Sequence, residues 1–151
     1  VKVYPDTSFL CALYLVQSNS KAAIDCYNGL EKPLYVSALT VGEFKQSIRF
    51  QNFINSKDHT QGFSRKLGLV ALENLQNNID SGGIVIKSVD WAEVISIAER
   101  ISSLYTTHYG HRYLDILHVA TAKFFKASAL LTFDNNQKKL ALAESLKVMP
   151  N

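Results

Sequence analysis

Four of the thirteen acidic residues stand where short apolar runs give way to helical patterns. Asp6 follows "VKVY" in "VYPDTSFL", Glu43 follows "LYVS" in "VSALTVGEF", Asp115 opens "LDILHVATA", and Asp134 closes "LLTFD" in "LLTFDNNQ". Taken singly, each fits a helix start. Asp is a favoured N-cap, and a carboxylate in a first turn gains from the helix dipole. Thr40 and Glu43 have the T-x-x-E spacing of a capping box, and Asp134 with Gln137 a comparable one. Capping, however, does not require four carboxylates to gather at one place. Gathered acids repel and raise one another's pKa values unless a cation joins them. Hard oxygen donors select Mg²⁺ or Mn²⁺, ions that activate water and neutralise a phosphodiester transition state. The chemistry this set points to is metal-dependent phosphoryl-transfer hydrolysis, with Asp6, Glu43, Asp115 and Asp134 as metal ligands and catalytic groups.

The elements around these acids must bring them together. Short aliphatic or β-branched runs at 1–4, 34–37, 83–87 and 129–133 predict strands, and "KVMP" (147–150) a fifth. Between them, helical periodicity covers 8–17, 21–31, 40–55, 61–79, 90–105, 113–126 and 135–146. Strands alternating with helices imply right-handed crossovers and a mostly parallel sheet of four to five strands covered on both faces. The expected fold is thus α/β, with helices layered on both sides of the sheet. In such sheets ligands bind beyond the carboxyl ends of the strands, which is where the four acids fall. The polar stretch 55–65 between two long helical patterns predicts a helical hairpin projecting around 40–80 from a single domain, 1–151.

Composition narrows the setting. A chain of 151 residues, 47% hydrophobic, is sized for one core. No apolar run approaches the roughly 20 residues that cross a bilayer, and Cys11 and Cys26 form neither a disulfide framework nor a CxxC pair, so a reduced cytoplasmic setting is expected. A net charge of +3 is compatible with a polyanionic partner. Lys45 and Arg49, at i and i+4 beside the turn of Glu43, and Arg112, just before Asp115, are candidate phosphate contacts. Phe44, Phe50 and Phe53, interleaved with basic residues, read as core or dimer contacts. His118, three residues after Asp115, reads as a core histidine that could also reach a metal or substrate. His108 and His111 in "THYGHRY" lack further His or Cys to complete a zinc set, and read as a loop touching substrate or partner.

The four segments that carry the acids resemble, in order and across the whole chain, the signature segments of PIN-domain nucleases, particularly the VapC-like toxins of toxin–antitoxin pairs. The resemblance implies a PIN-like, Rossmann-like three-layer α/β/α sandwich, Mg²⁺- or Mn²⁺-dependent cleavage of RNA, an antitoxin partner and frequent homodimerisation. By position it assigns Asp6, Glu43 and Asp115 to the core acidic triad and Asp134 to a more variable fourth acid two residues after Thr132. It also places Thr7 or Ser8 at a hydroxyl position near the first acid, so that Thr7, Ser8 and Thr132 join Lys45, Arg49 and Arg112 as substrate contacts. Asn136 is neutral where some relatives carry another acid. Two further readings stand beside this one: a PIN module that binds RNA or a protein without cutting, and a receiver-like regulatory domain that binds Mg²⁺. A receiver needs a paired acid next to the first strand, and this sequence has none.

Overall fold

The structure, a computed structural model, describes residues 2–150. Strand β1 (Val3–Pro5) leads to helices α1 (Thr7–Tyr14) and α2 (Ser20–Gly29), and β2 (Leu34–Val36) to α3 (Ala38–Lys57) and α4 (Arg65–Asp80). Then β3 (Ile84–Ile86) leads to α5 (Trp91–Tyr109) and α6 (Tyr113–Phe124), β4 (Ala129–Leu131) to α7 (Asn135–Ala143), and β5 (Lys147–Met149) follows. Every strand pairing is parallel: β1 with β4, β4 with β5, and β2 with β3. Strand β2 lies alongside β1, so β2 and β3 extend to one side of β1 while β4 and β5 extend to the other. The chain therefore changes direction between β1 and β4. Such a switch point opens a crevice at the carboxyl ends of the two strands.

Side-chain alternation divides the interior into two layers. Tyr4, Leu130 and Val148 face a cluster built with Val94, Ile101, Ile116 and Leu140 of helices α5, α6 and α7. Their neighbours Val3, Leu131 and Met149 face the opposite cluster, with Phe9, Leu10, Phe44, Ile48 and Leu75 of α1, α3 and α4. A period of two sends successive residues to opposite faces, and a strand buried on both sides must be apolar throughout, as "ALL" of β4 is. The expected α/β/α sandwich with a mostly parallel sheet is observed, its five strands hydrogen-bonded in two groups, β1–β4–β5 and β2–β3.

Several boundaries differ from the periodicity. Val1, placed in the first strand, lies outside the described residues. Helix α1 stops at Tyr14 because Leu15 is extended and its N–H closes on the Cys11 carbonyl. Helix α4 starts at Arg65, where the Ser64 hydroxyl caps the Leu67 N–H, and the Asn52 amide holds the Phe63 and Ser64 carbonyls. At Gly68, α4 packs tightly on α3: a methyl group there would lie 2.7 Å from Asn52 Oδ1 and 2.9 Å from Ile48 Cγ2. Helix α5 runs on to Tyr109 and is ended by Gly110 at φ 65°, a left-handed C-cap that costs glycine little. Among the described residues no helix is long and apolar enough to cross a membrane.

Candidate active site

Asp6 ends β1 at the switch point and is fully buried. Its backbone N–H continues the ladder to the Leu131 carbonyl of β4 at 3.0 Å. Its side chain caps α1: Oδ1 accepts from the Phe9 N–H at 2.9 Å and from the Ser8 hydroxyl at 2.7 Å. Oδ2 accepts from the Thr132 hydroxyl just beyond β4. Ser8 and Thr132 are held in turn, since Ser8 Oγ accepts from the Phe133 N–H and Thr132 Oγ1 from the Asp134 N–H. Burial pushes the Asp6 carboxyl above its ordinary pKa, against the pull of Thr132, His118, Ser8 and Phe9.

Glu43 occupies the second turn of α3, and the expected capping box does not form. Ser37, directly after β2, caps the helix first by accepting from the Thr40 N–H, so Thr40 lies inside the helix and Glu43 is free to point elsewhere. The start of α3 is pinned to β1 instead, by the buried Tyr4 phenol, which contacts Ser37 Oγ at 2.7 Å and Thr40 Oγ1 at 2.6 Å. Burial raises the pKa of Tyr4 to about 12, which keeps it a neutral hydrogen-bonding partner. Glu43 Oε2 accepts from the Thr7 hydroxyl at 2.8 Å and meets Nε2 of the buried His118. Burial tends to raise the Glu43 pKa, but hydrogen bonding and charge from His118, with help from Thr7, leave it below the usual glutamate value. Both protein partners use Oε2, which leaves Oε1 for an outside group.

Asp115 lies in the first turn of α6, whose N-cap Arg112 makes no side-chain cap. Its side chain is only 14% exposed and its nearest cation, Arg112 Nε, is 3.6 Å away. Asp115 Oδ2 is buried without a hydrogen-bond partner. Burial raises the pKa, as does the negative charge of Asp134 and Glu43, while Arg112 and His118 oppose the shift. Asp134 caps α7 through Oδ1, which accepts from the Asn136 and Gln137 N–H groups, so Oδ2 is uncommitted. The four acids thus share one edge, and Asp115 feels the charge of Asp134 and Glu43. Among the described residues, though, no three acidic, histidine or cysteine side chains close into a ligating cluster. The donor set still fits a hard cation: Asp115 Oδ2 is buried without a hydrogen bond, with the exposed Arg112 3.6 Å away set against the charge of Asp134 and Glu43, and each of those two carboxylates presents a spare oxygen.

With this geometry in view, likeness to known proteins becomes informative. The PIN domain family model matches residues 3–142. This chain belongs to the PIN domain family. Among solved structures it is similar to FitAcB from Neisseria gonorrhoeae, with a TM-score of 0.66 at 21% identity over 98% of this chain and 96% of that one. It is also similar to VapC20 of Mycobacterium tuberculosis, described as a sarcin-ricin loop cleaving toxin, with a TM-score of 0.62 at 16% identity over 99% and 100%. A third is FitAB bound to an IR36 DNA fragment, with a TM-score of 0.66 at 20% identity over 97% and 93%. At these identities the likeness is one of fold. No curated protein matches the chain in sequence.

In this PIN domain the hydroxyls expected at the substrate turn inward. Ser8 and Thr132 position Asp6, and Thr7 serves Glu43. Arg112 stays at the Asp115 rim, and Arg49 is exposed farther along α3. Of the three phenylalanines read as core or dimer contacts, Phe44 is fully buried in the core, whereas Phe50 and Phe53 are exposed and stack on each other with centroids 6.4 Å apart. His118, expected as a core histidine that could also reach a metal or substrate, is a buried core residue, and its ring meets Glu43. Tyr4 and Ser37 were missed altogether. Their only signal was a tyrosine one residue short of the strand end and a serine directly after the second strand, which is a common pattern.

Proposed function

We propose that the protein is a Mg²⁺- or Mn²⁺-dependent endoribonuclease hydrolysing RNA phosphodiester bonds, and that it acts in the cytoplasm as the toxin of a toxin–antitoxin pair. PIN family membership supports a nuclease, and the resemblance to VapC-like segments supports RNA as substrate. The observation that carries the reading is the buried Asp115 Oδ2, which accepts no hydrogen bond and whose carboxylate feels the charges of Asp134 and Glu43. When bound, the cation supplies Lewis acidity for water activation and for the charge that develops on the phosphate. Asp115, Glu43 and Asp134 would hold it through their uncommitted oxygens, and Asp6 directly or through water. His118 and Thr7 keep the Glu43 carboxylate ionised and aimed. Ser8 and Thr132 fix Asp6, while Arg112, Lys45 and Arg49 orient the incoming backbone phosphate. A protein antitoxin and a homodimer belong to the same proposal.

The test is cleavage of a mixed RNA pool in Mg²⁺, Mn²⁺ or EDTA by wild type and by Asp115→Asn, alongside anomalous diffraction from a Mn²⁺-soaked crystal. Metal-dependent cleavage lost in the variant, with density at the acidic edge, supports the assignment. Asp115→Asn cutting as well as wild type overturns it. A second reading, a PIN module that binds RNA or a protein without cutting, is favoured by one observation: no three ligands close into a cluster among the described residues. Mn²⁺ density without cleavage of RNA or single-stranded DNA would select it.

A further inference from the structure

Beside the acidic edge lies a cleft of about 360 Å³ that the hydrolytic machinery does not use. One wall is the last turns of α5, where Tyr105 and Tyr109, at i and i+4, share a face. Gly110 then reverses the chain at φ 65° and returns His111 to the Tyr109 ring, 6.1 Å between centroids. The other wall is one face of α7, with Asn136 and Lys139 at the rim and the buried Leu140 as floor. Tyr105 is anchored, since its hydroxyl donates to the Ala143 carbonyl at 3.3 Å. Tyr109 is 72% exposed, and Lys139 makes no ion pair among the described residues.

We infer that this cleft takes an unpaired nucleobase of single-stranded or looped RNA, next to the phosphate presented to the acids. The inference rests on the nuclease reading and adds to it a pocket for substrate selection. Its placement follows from connectivity: His111 lies four residues before Asp115, and Asn136 two residues after Asp134. The two segments that supply acids to the edge therefore also supply opposite sides of the cleft. Its composition suits a base. Tyrosine and histidine rings offer stacking faces, the Asn136 amide offers both a donor and an acceptor, and Lys139 and Arg112 can take the flanking phosphates. Its volume lies at the small end of ligand pockets, room for one base but not for a duplex.

The test is titration of the full chain in EDTA, followed by the ring-proton resonances of Tyr109 and His111, with the trinucleotide ApApA, with AMP and with ribose 5-phosphate. The trinucleotide is expected to bind most tightly and ribose 5-phosphate at least about tenfold more weakly, the loss of one stacked base. Tyr109→Ala should remove most of that difference and Tyr109→Phe should keep it. Ribose 5-phosphate moving the rings as strongly as ApApA, AMP binding more tightly than ApApA, or no shift at millimolar ligand would overturn the inference. Binding as expected without metal-dependent cleavage of RNA would uphold the pocket and sink the nuclease reading. Cleavage with Tyr109→Ala binding ApApA like wild type would do the reverse.

Discussion

Two carboxylates in this chain meet opposite fates. Glu144, at the C-terminal end of α7, is 5% exposed in its side chain and fully matched. Arg100 grips it with two donors, at 3.1 Å to Oε1 and 2.6 Å to Oε2, and Lys123 approaches Oε2 at 3.3 Å. Asp115, on the acidic edge, is nearly as enclosed, yet its Oδ2 has only Arg112 Nε at 3.6 Å and accepts no hydrogen bond. Burial works to raise both pKa values. At Glu144 the cations outweigh it and the value falls; at Asp115 neighbouring acids add to burial and the value rises. A matched buried ion joins helices to one another. An unmatched one costs folding free energy and is retained where an outside charge completes it.

The comparison breaks first on activity. Asp115→Asn should lower RNA cleavage by about 10²–10³-fold, the size expected for removing one preorganised charge from a transition state. Its metal-free thermal stability should stay the same or rise, because the substitution removes like-charge repulsion. Mg²⁺ should stabilise wild type and leave the variant unmoved. Cleavage kinetics and melting curves with and without Mg²⁺ check all three, and a variant that melts far below wild type would show that Asp115 is structural after all.

Glu144→Gln should do the opposite. Leaving Arg100 and Lys123 without their anion is expected to cost about 1–3 kcal/mol, below the full loss for a buried pair because Arg100 remains half in water. Chemical denaturation measures it, and cleavage per folded molecule should be unchanged. A fall in specific activity with no loss of stability would reverse the roles assigned to the two regions.

What the sequence made legible was local. Asp6 and Asp134 cap helices directly after strands, and those signals span three residues. The alternation of strands with helices was sufficient for the parallel sheet. Contacts between distant segments were not legible. Thr132 reaches Asp6 across 126 positions and His118 reaches Glu43 across 75. The T-x-x-E spacing at Thr40 and Glu43 suggested a capping box only because Ser37, the actual cap, attracted no notice. The same limit explains the cleft: "THYGHRY" stood out as a substrate or partner loop, but nothing local pairs it with Asn136 and Lys139 of α7.

A smaller effect probes how the edge is held. Thr7→Val keeps the shape of the residue and removes the hydroxyl that donates to Glu43 at 2.8 Å. The same hydroxyl has a longer contact to His118 Nε2 at 3.3 Å, but His118 still meets Glu43 Oε2, so the loss is dominated by one hydrogen bond, worth about 0.5–1.5 kcal/mol. Cleavage should fall by no more than about tenfold, which is the rate equivalent of that energy. Loss as deep as that of Asp115→Asn would mean that Thr7 meets the substrate itself, as the resemblance to VapC-like segments implies.

The smallest expected effect is on the pH dependence of stability, and it isolates the matched region. Arg100 and Lys123 hold the Glu144 pKa below its ordinary value in the folded protein. A carboxyl depressed in this way contributes stability that is fully present above its unfolded pKa, about 4.3 for glutamate, and is lost as pH falls through the lower folded value. Glu144→Gln removes the titrating group. The difference in stability between wild type and variant should therefore be constant near neutral pH and shrink below about pH 4. Screening by salt should leave most of it, because the carboxylate is enclosed even though Arg100 is half exposed. A difference that vanished in moderate salt at neutral pH would place Glu144 among surface ion pairs of negligible worth, and the contrast with Asp115 would then rest on Asp115 alone.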